Sequence, residues 1–102
     1  MRFLIVSTAK FPWPPGMVGG LIDAMVAWID QNEKAGKLEQ SWNFAGIQGG
    51  GGILKVASLE ELDAIMTSFP LGPFSETSVY PLTDLRANLA SSKAVFQAMS
   101  GG

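Results

Sequence analysis

The chain has 102 residues, 47% of them hydrophobic and only 16% charged, with a formal net charge of −2. A chain of this size holds one core, is too apolar for disorder, and carries its few Lys and Arg too singly to grip nucleic acid. With neither cysteine nor histidine it has no disulfide, thiolate nucleophile, His-based triad or zinc site of the usual kind, so no metal is expected and acid–base work falls to Asp, Glu, Lys or Tyr.

Phe3 to Ala9 reads as the first strand, with Phe3, Ile5 and Ser7 on one face and Leu4, Val6 and Thr8 on the other. Both faces are largely apolar, so both need cover. Met1-Arg2 leads into this strand without a signal-peptide pattern, and no apolar run is long enough to span a bilayer. A cytoplasmic protein with no membrane partner is the expectation. Lys10 to Gly16 sets three prolines around Trp13, a stiff aromatic loop suited to a pocket mouth or an interface.

Met17 to Ala35 reads as a long helix, closed by Gly36 at the position where a left-handed residue is wanted. Val18, Leu21, Ile22, Met25, Trp28, Ile29 and Asn32 form its apolar stripe, opposite Asp23, Ala27, Asp30 and Lys34. Leu38 to Ala45 reads as the second strand, with Leu38, Gln40, Trp42 and Phe44 on one face. Gly46 to Gly52 has five glycines in seven residues and reads as the flexible tip of a hairpin, returning as a third strand over Ile53 to Ala57. A phosphate-loop reading of the glycines fails, because no Gly-Lys-[Ser/Thr] follows and the run lies between two strands.

Ser58-Leu59-Glu60-Glu61 is a capping box opening a second helix that should bury Leu59, Leu62, Ile65 and Met66. Phe69-Pro70-Leu71-Gly72-Pro73-Phe74 stops that helix in a rigid turn whose phenylalanines must pack on something. Ser75 to Leu82 is the last strand, with Glu76, Ser78 and Tyr80 on one face. Leu85 to Met99 makes a terminal helix, with Ser91-Ser92 as the point where it could break.

The element order is β-α-β-β-α-β with a C-terminal helical extension. That predicts an α+β, ferredoxin-like antiparallel sheet with two helices on one face, as one domain over residues 1–102, core 2–82 and extension 83–102. The other face, still apolar, predicts a partner sheet from a second copy, a homodimer of sheets.

From Lys34 to Leu82 the run Ala35-Gly36, Trp42, Ala45-Gly46, Leu59-Glu60-Glu61-Leu62, Phe69-Pro70-Leu71-Gly72-Pro73-Phe74 and Pro81-Leu82 resembles the muconolactone isomerase family. The proline turn is the most specific part of the likeness. The resemblance implies a dimeric α+β barrel that assembles further, into decamers in the best-known members. It also implies a small-molecule pocket between sheet and helices, and cofactor-free isomerisation or cyclisation by proton transfer. A lactone, quinone or polyketide-like substrate fits it, from aromatic catabolism or polyketide tailoring. Family members carry charges along the middle of the first helix and a histidine before the tryptophan of the second strand. Met25, Val26 and Ala27, and Gln40, stand near those places here.

Asp23, Glu39 and Glu76 are the candidate carboxylates for the proton transfer, each equally explicable as a solvated or edge-strand charge. Trp42, Phe44, Gln40, Met25, Phe74, Tyr80 and Trp13 are the candidate pocket residues. Trp28, at helical spacing, reads as core. Two other functions stay open: a ligand-binding or assembly protein that kept the barrel without the catalytic set, and an interaction subunit whose terminal helix reaches a neighbour.

Overall fold

The computed structural model describes residues 1–101. Its strands β1 (Arg2–Ala9), β2 (Leu38–Asn43), β3 (Gly49–Lys55) and β4 (Ser75–Leu82) form one antiparallel sheet in the order β2-β3-β1-β4. Helix α1 (Val18–Lys34) follows β1, α2 (Leu59–Thr67) follows β3, and α3 (Leu85–Met99) follows β4. This is the ferredoxin-like α+β arrangement that the element order predicts, with its C-terminal helical extension.

Local chemistry sets the helix ends. The Gly36 and Lys37 amides donate to the Glu33 and Asn32 carbonyls at 3.0 and 2.9 Å, a Schellman closure with Gly36 at φ 72°. Ser58 Oγ accepts from the Glu61 amide at 3.1 Å, and Glu61 Oε2 reaches back to the Ala57 amide at 3.2 Å. The capping box therefore closes one residue further out than the usual pattern. Asp84 Oδ2 caps α3 by accepting from Ala87 N at 2.8 Å. α3 runs unbroken through Ser91-Ser92.

The core lies on the helix side of the sheet. Phe3, Ile5, Leu38, Leu54, Val56 and Leu62 are buried together, with Trp28 and Ile29 of α1 and Ile65 and Met66 of α2 packed on them. Leu59 is exposed, contrary to the expected stripe: it is the first residue of α2, while Leu62, Ile65 and Met66 further along pack inward. The proline turn is anchored twice. The Phe69 ring packs on Trp28 with centroids 5.2 Å apart, and the Phe74 carbonyl accepts from the Lys10 and Phe11 amides at 2.9 and 3.0 Å.

Two expectations about β2 and β3 are corrected. The glycine run is not a loose tip: Gly49–Gly52 is the first half of β3, paired on both sides. A flexible residue becomes ordered here because neighbouring backbones come too close for any other. A Cβ on Gly50 would lie 2.4 Å from Trp42 O, and one on Gly52 2.8 Å from Gln40 O. In β2 the register shifts between Leu38 and Gln40, since Leu38 pairs with Leu54 and Gln40 with its neighbour Ile53. Glu39 is the extra residue. The shift leaves Leu38, Ser41 and Asn43 on the helix side and sends Gln40 and Trp42 to the open face.

Candidate functional site: an uncharged cleft over a glycine floor

Between the helix side of the sheet and α1 lies a cleft of about 580 Å³. Its floor can be read from the strand register. Ser7, Gly50 and Asn43 form one row across β1, β3 and β2, and Ile5, Gly52 and Ser41 form the next. The middle residue of each row has no side chain, so space that a Val or Leu would fill stays open. Leu54 and Leu38 close the deep end.

Met25, Trp28 and Ile29 of α1 make the roof, joined by Met66 and by Phe69 and Leu71 of the proline turn. The Trp28 indole is held in place, donating from Nε1 to Ser68 Oγ at 3.1 Å, while Ser68 Oγ donates to the Ile65 carbonyl at 2.7 Å. Trp13 on the stiff loop and exposed Ile47 stand at the mouth. Trp42 comes from the opposite face, its Nε1 lying 2.9 Å from where a Cβ on Gly51 would be.

The polar side chains of the lining are Ser7, Ser41, Asn43, Gln48 and Ser75, with the tryptophan indoles. Ser7 Oγ shares a hydrogen bond with Thr77 Oγ1 at 3.2 Å. No charged side chain lines this cleft among the described residues. These groups can position and polarise a carbonyl, but they supply no strong base.

Comparison with known proteins fits this geometry. The model of the muconolactone delta-isomerase family matches residues 1–87. The chain belongs to that family. The crystal structure of muconolactone isomerase at 3.3 Å resolution superposes with a TM-score of 0.75 at 23% identity, covering 82% of this chain and 90% of that one. The structure of 5-chloro-2-hydroxyhydroquinone dehydrochlorinase from Burkholderia phenoliruptrix, in complex with 2,5-dihydroxybenzoquinone, gives 0.62 at 19% identity, covering 85% and 98%. At these identities the two structures establish a shared fold. No curated protein sequence matches the chain.

Of the residues picked out from the sequence of this family member, the structure gathers Trp13, Met25 and Trp42 around the cleft. Phe44 and Phe74 are half-buried outside its lining. Gln40 and Tyr80 lie on the open face of the sheet, where Tyr80 does share a row with Glu76 and Ser78 as expected. Asp23 is exposed on α1. Glu39 is taken up by Arg2, whose Nε lies 2.6 Å from Oε1. That hydrogen bond, with the guanidinium charge, holds the Glu39 carboxyl below the usual carboxylate range and raises Arg2.

Among the cleft residues that sequence reasoning passed over are Trp28, Ser41, Asn43, Gln48 and the glycines. The glycines carried a signal, since four in a row beside a β-branched strand can mark close backbone approach. The register shift that turns Ser41 and Asn43 inward has no local signature. A second, shallower groove of about 510 Å³ runs between α1 and α2. Among the described residues its charges are Lys37 and Glu61, which pair with each other at 2.5 Å. Among the described residues no helix is long and apolar enough to cross a membrane.

Proposed function

We propose that the protein is a cytoplasmic enzyme that binds an apolar or aromatic lactone, quinone or polyketide-like molecule in the cleft. It would isomerise or cyclise that molecule by proton transfer, with no cofactor. Membership of the muconolactone delta-isomerase family supports an enzyme, and the apolar cleft with its few neutral hydrogen-bonding groups is the observation that carries the substrate class. Apolar walls hold the molecule, while Ser41, Asn43 and Gln48 offer donors to a carbonyl oxygen as charge develops on it.

The base is drawn from Asp23, Glu39 and Glu76. None of these lines the cleft within one chain, so the carboxylate enters by a conformational change or from a second copy. A second copy fits the open sheet face, where Leu4, Val6, Ile53, Tyr80 and Leu82 form an apolar surface with Glu76 at one end beside Thr8; that face lies opposite the cleft, so a carboxylate of the copy would have to reach round to the cleft mouth. With an identified substrate, Asp23→Asn, Glu39→Gln and Glu76→Gln should include at least one variant slowed tenfold or more. Three variants that each stay within tenfold of the parent rule out the general-base mechanism.

One observation favours a second reading, a binding or assembly protein without catalysis: the lining of the cleft is uncharged. It predicts that a molecule co-purifying with the protein comes back chemically unchanged after prolonged incubation. Conversion of that molecule would reject it.

A further inference from the structure

We infer that the cleft selects a planar, uncharged ligand, and that Gly50 and Gly52 are the residues that set this specificity. The inference rests on the cleft being the ligand site, as proposed above, but not on catalysis there.

The shape argument starts from β3. In an ordinary strand each Cβ stands up from the sheet, and alternate ones would project into the cleft. Here a Cβ on any of the four glycines would also run into a neighbouring carbonyl oxygen. The distances are 2.4 and 2.6 Å for Gly49 and Gly51 to Ser7 O and Ile5 O of β1, and 2.4 and 2.8 Å for Gly50 and Gly52 to Trp42 O and Gln40 O of β2. Real Cβ atoms do not approach backbone oxygen so closely, and because the nearest atom to each of the four is a backbone oxygen, no side-chain movement relieves the clash. The strip is therefore bare backbone, and it must be glycine. A flat ring can rest on it at van der Waals distance, whereas a puckered ring meets the floor at only a few atoms. The roof above, with the pinned Trp28 indole, Met25 and Phe69, offers aromatic and thioether surface to the other side of such a ring.

The charge argument is independent of the shape. A carboxylate taken into this cleft would meet Ser, Asn and Gln side chains but no Lys or Arg, and an anion buried without a cation is strongly disfavoured. The arginine and lysine held by the two ion pairs, Arg2 and Lys37, are both outside the cleft lining and both already occupied. Neutral carbonyl or hydroxyl oxygens suit the donors that are present.

The test uses the full chain and three probes in calorimetric titration: coumarin, coumarin carboxylate and octahydrocoumarin. These are a flat neutral lactone, its anionic counterpart and its saturated, puckered counterpart. Coumarin should bind at least tenfold tighter than either of the others. Binding of the carboxylate or the saturated lactone within threefold of coumarin, or no binding of coumarin, overturns the inference. Gly52→Ala should abolish coumarin binding, but it also forces β2 and β3 apart, so a second variant keeps the test free of folding. Ser41 is exposed at the cleft edge, and Ser41→Lys should raise carboxylate affinity at least tenfold while coumarin affinity does not rise. An unchanged carboxylate affinity in that variant counts against the inference. Selective coumarin binding with no carboxylate variant affecting turnover would remove the enzymatic reading alone. Turnover of an anionic substrate would remove the present inference alone.

Discussion

Helices α2 and α3 begin in the same way and end in opposite circumstances. Each opens on a side-chain oxygen that accepts a backbone N–H three residues on, Ser58 from Glu61 and Asp84 from Ala87. α2 then turns Leu62 into the core, where Ile65 and Met66 pack beside it. α3 buries nothing: Leu85, Phe96 and Met99 are 69%, 66% and 76% exposed. The molecule is 66 Å long with a radius of gyration of 17.9 Å, against about 13 Å for a compact chain near this size. A cap starts a helix, but a 15-residue helix in water is marginal without a packed face. The family match also stops at residue 87, so nearly all of α3 lies beyond it. The body is held by its own core. α3, with five large apolar side chains in solvent, has no packed face in the single chain.

The sharpest way to break this comparison is to damage each region and read the other. Leu54 is 1% exposed at the centre of the core, so Leu54→Ala should cost about 2–5 kcal/mol of unfolding free energy by urea titration, the largest effect of any change considered. Deleting Ser91–Gly102 should do the reverse. Tryptophan fluorescence, which reports only the body because Trp13, Trp28 and Trp42 all lie there, should keep its folded signature. Sedimentation should show a smaller assembly than the full chain. An assembly of unchanged size would remove α3 from any role in association.

The body and its extension differ too in how much of each was legible in the sequence. Features settled within a few residues could be read directly: the Ser58 cap, the left-handed Gly36, the stop at Pro70 and the span of β4 from Ser75 to Leu82. Features settled by neighbouring strands could not. Whether Ser41 or Trp42 faces the cleft depends on the register shift at Glu39, which only pairing with β3 reveals. The glycines gave a composition that fits a loop as well as a strand, and it is the carbonyls of β1 and β2 on either side that decide. The candidate site suffered most, because its floor is made of those two features.

Cap removal gives a finer contrast. Ser58→Ala should lower the stability of the body by about 1 kcal/mol, visible as an earlier fluorescence midpoint in urea. Asp84→Ala removes the same kind of bond, yet it should leave that midpoint in place and instead reduce far-ultraviolet helicity as the first turn of α3 frays. A shifted body midpoint in Asp84→Ala would mean that α3 is coupled to the core after all.

The smallest expected effect concerns Glu61, which ties the start of α2 to the end of α1. A hydrogen bond from Lys37, then one from the Ala57 amide, holds its carboxyl below the ordinary carboxylate value. The folded state therefore binds this proton less readily than the unfolded chain does. Its contribution is complete above the unfolded value of about 4.3, and it is lost as pH falls through the lower folded value. Lys37→Met should flatten the decline of the urea midpoint across that acid range, and added salt should flatten it in the parent, since the pair is partly exposed. The Ala57 bond survives in the variant, so some acid sensitivity should remain. A variant with the full decline of the parent would show that Lys37 does not set the Glu61 carboxyl, and that the backbone of the capping box does so alone.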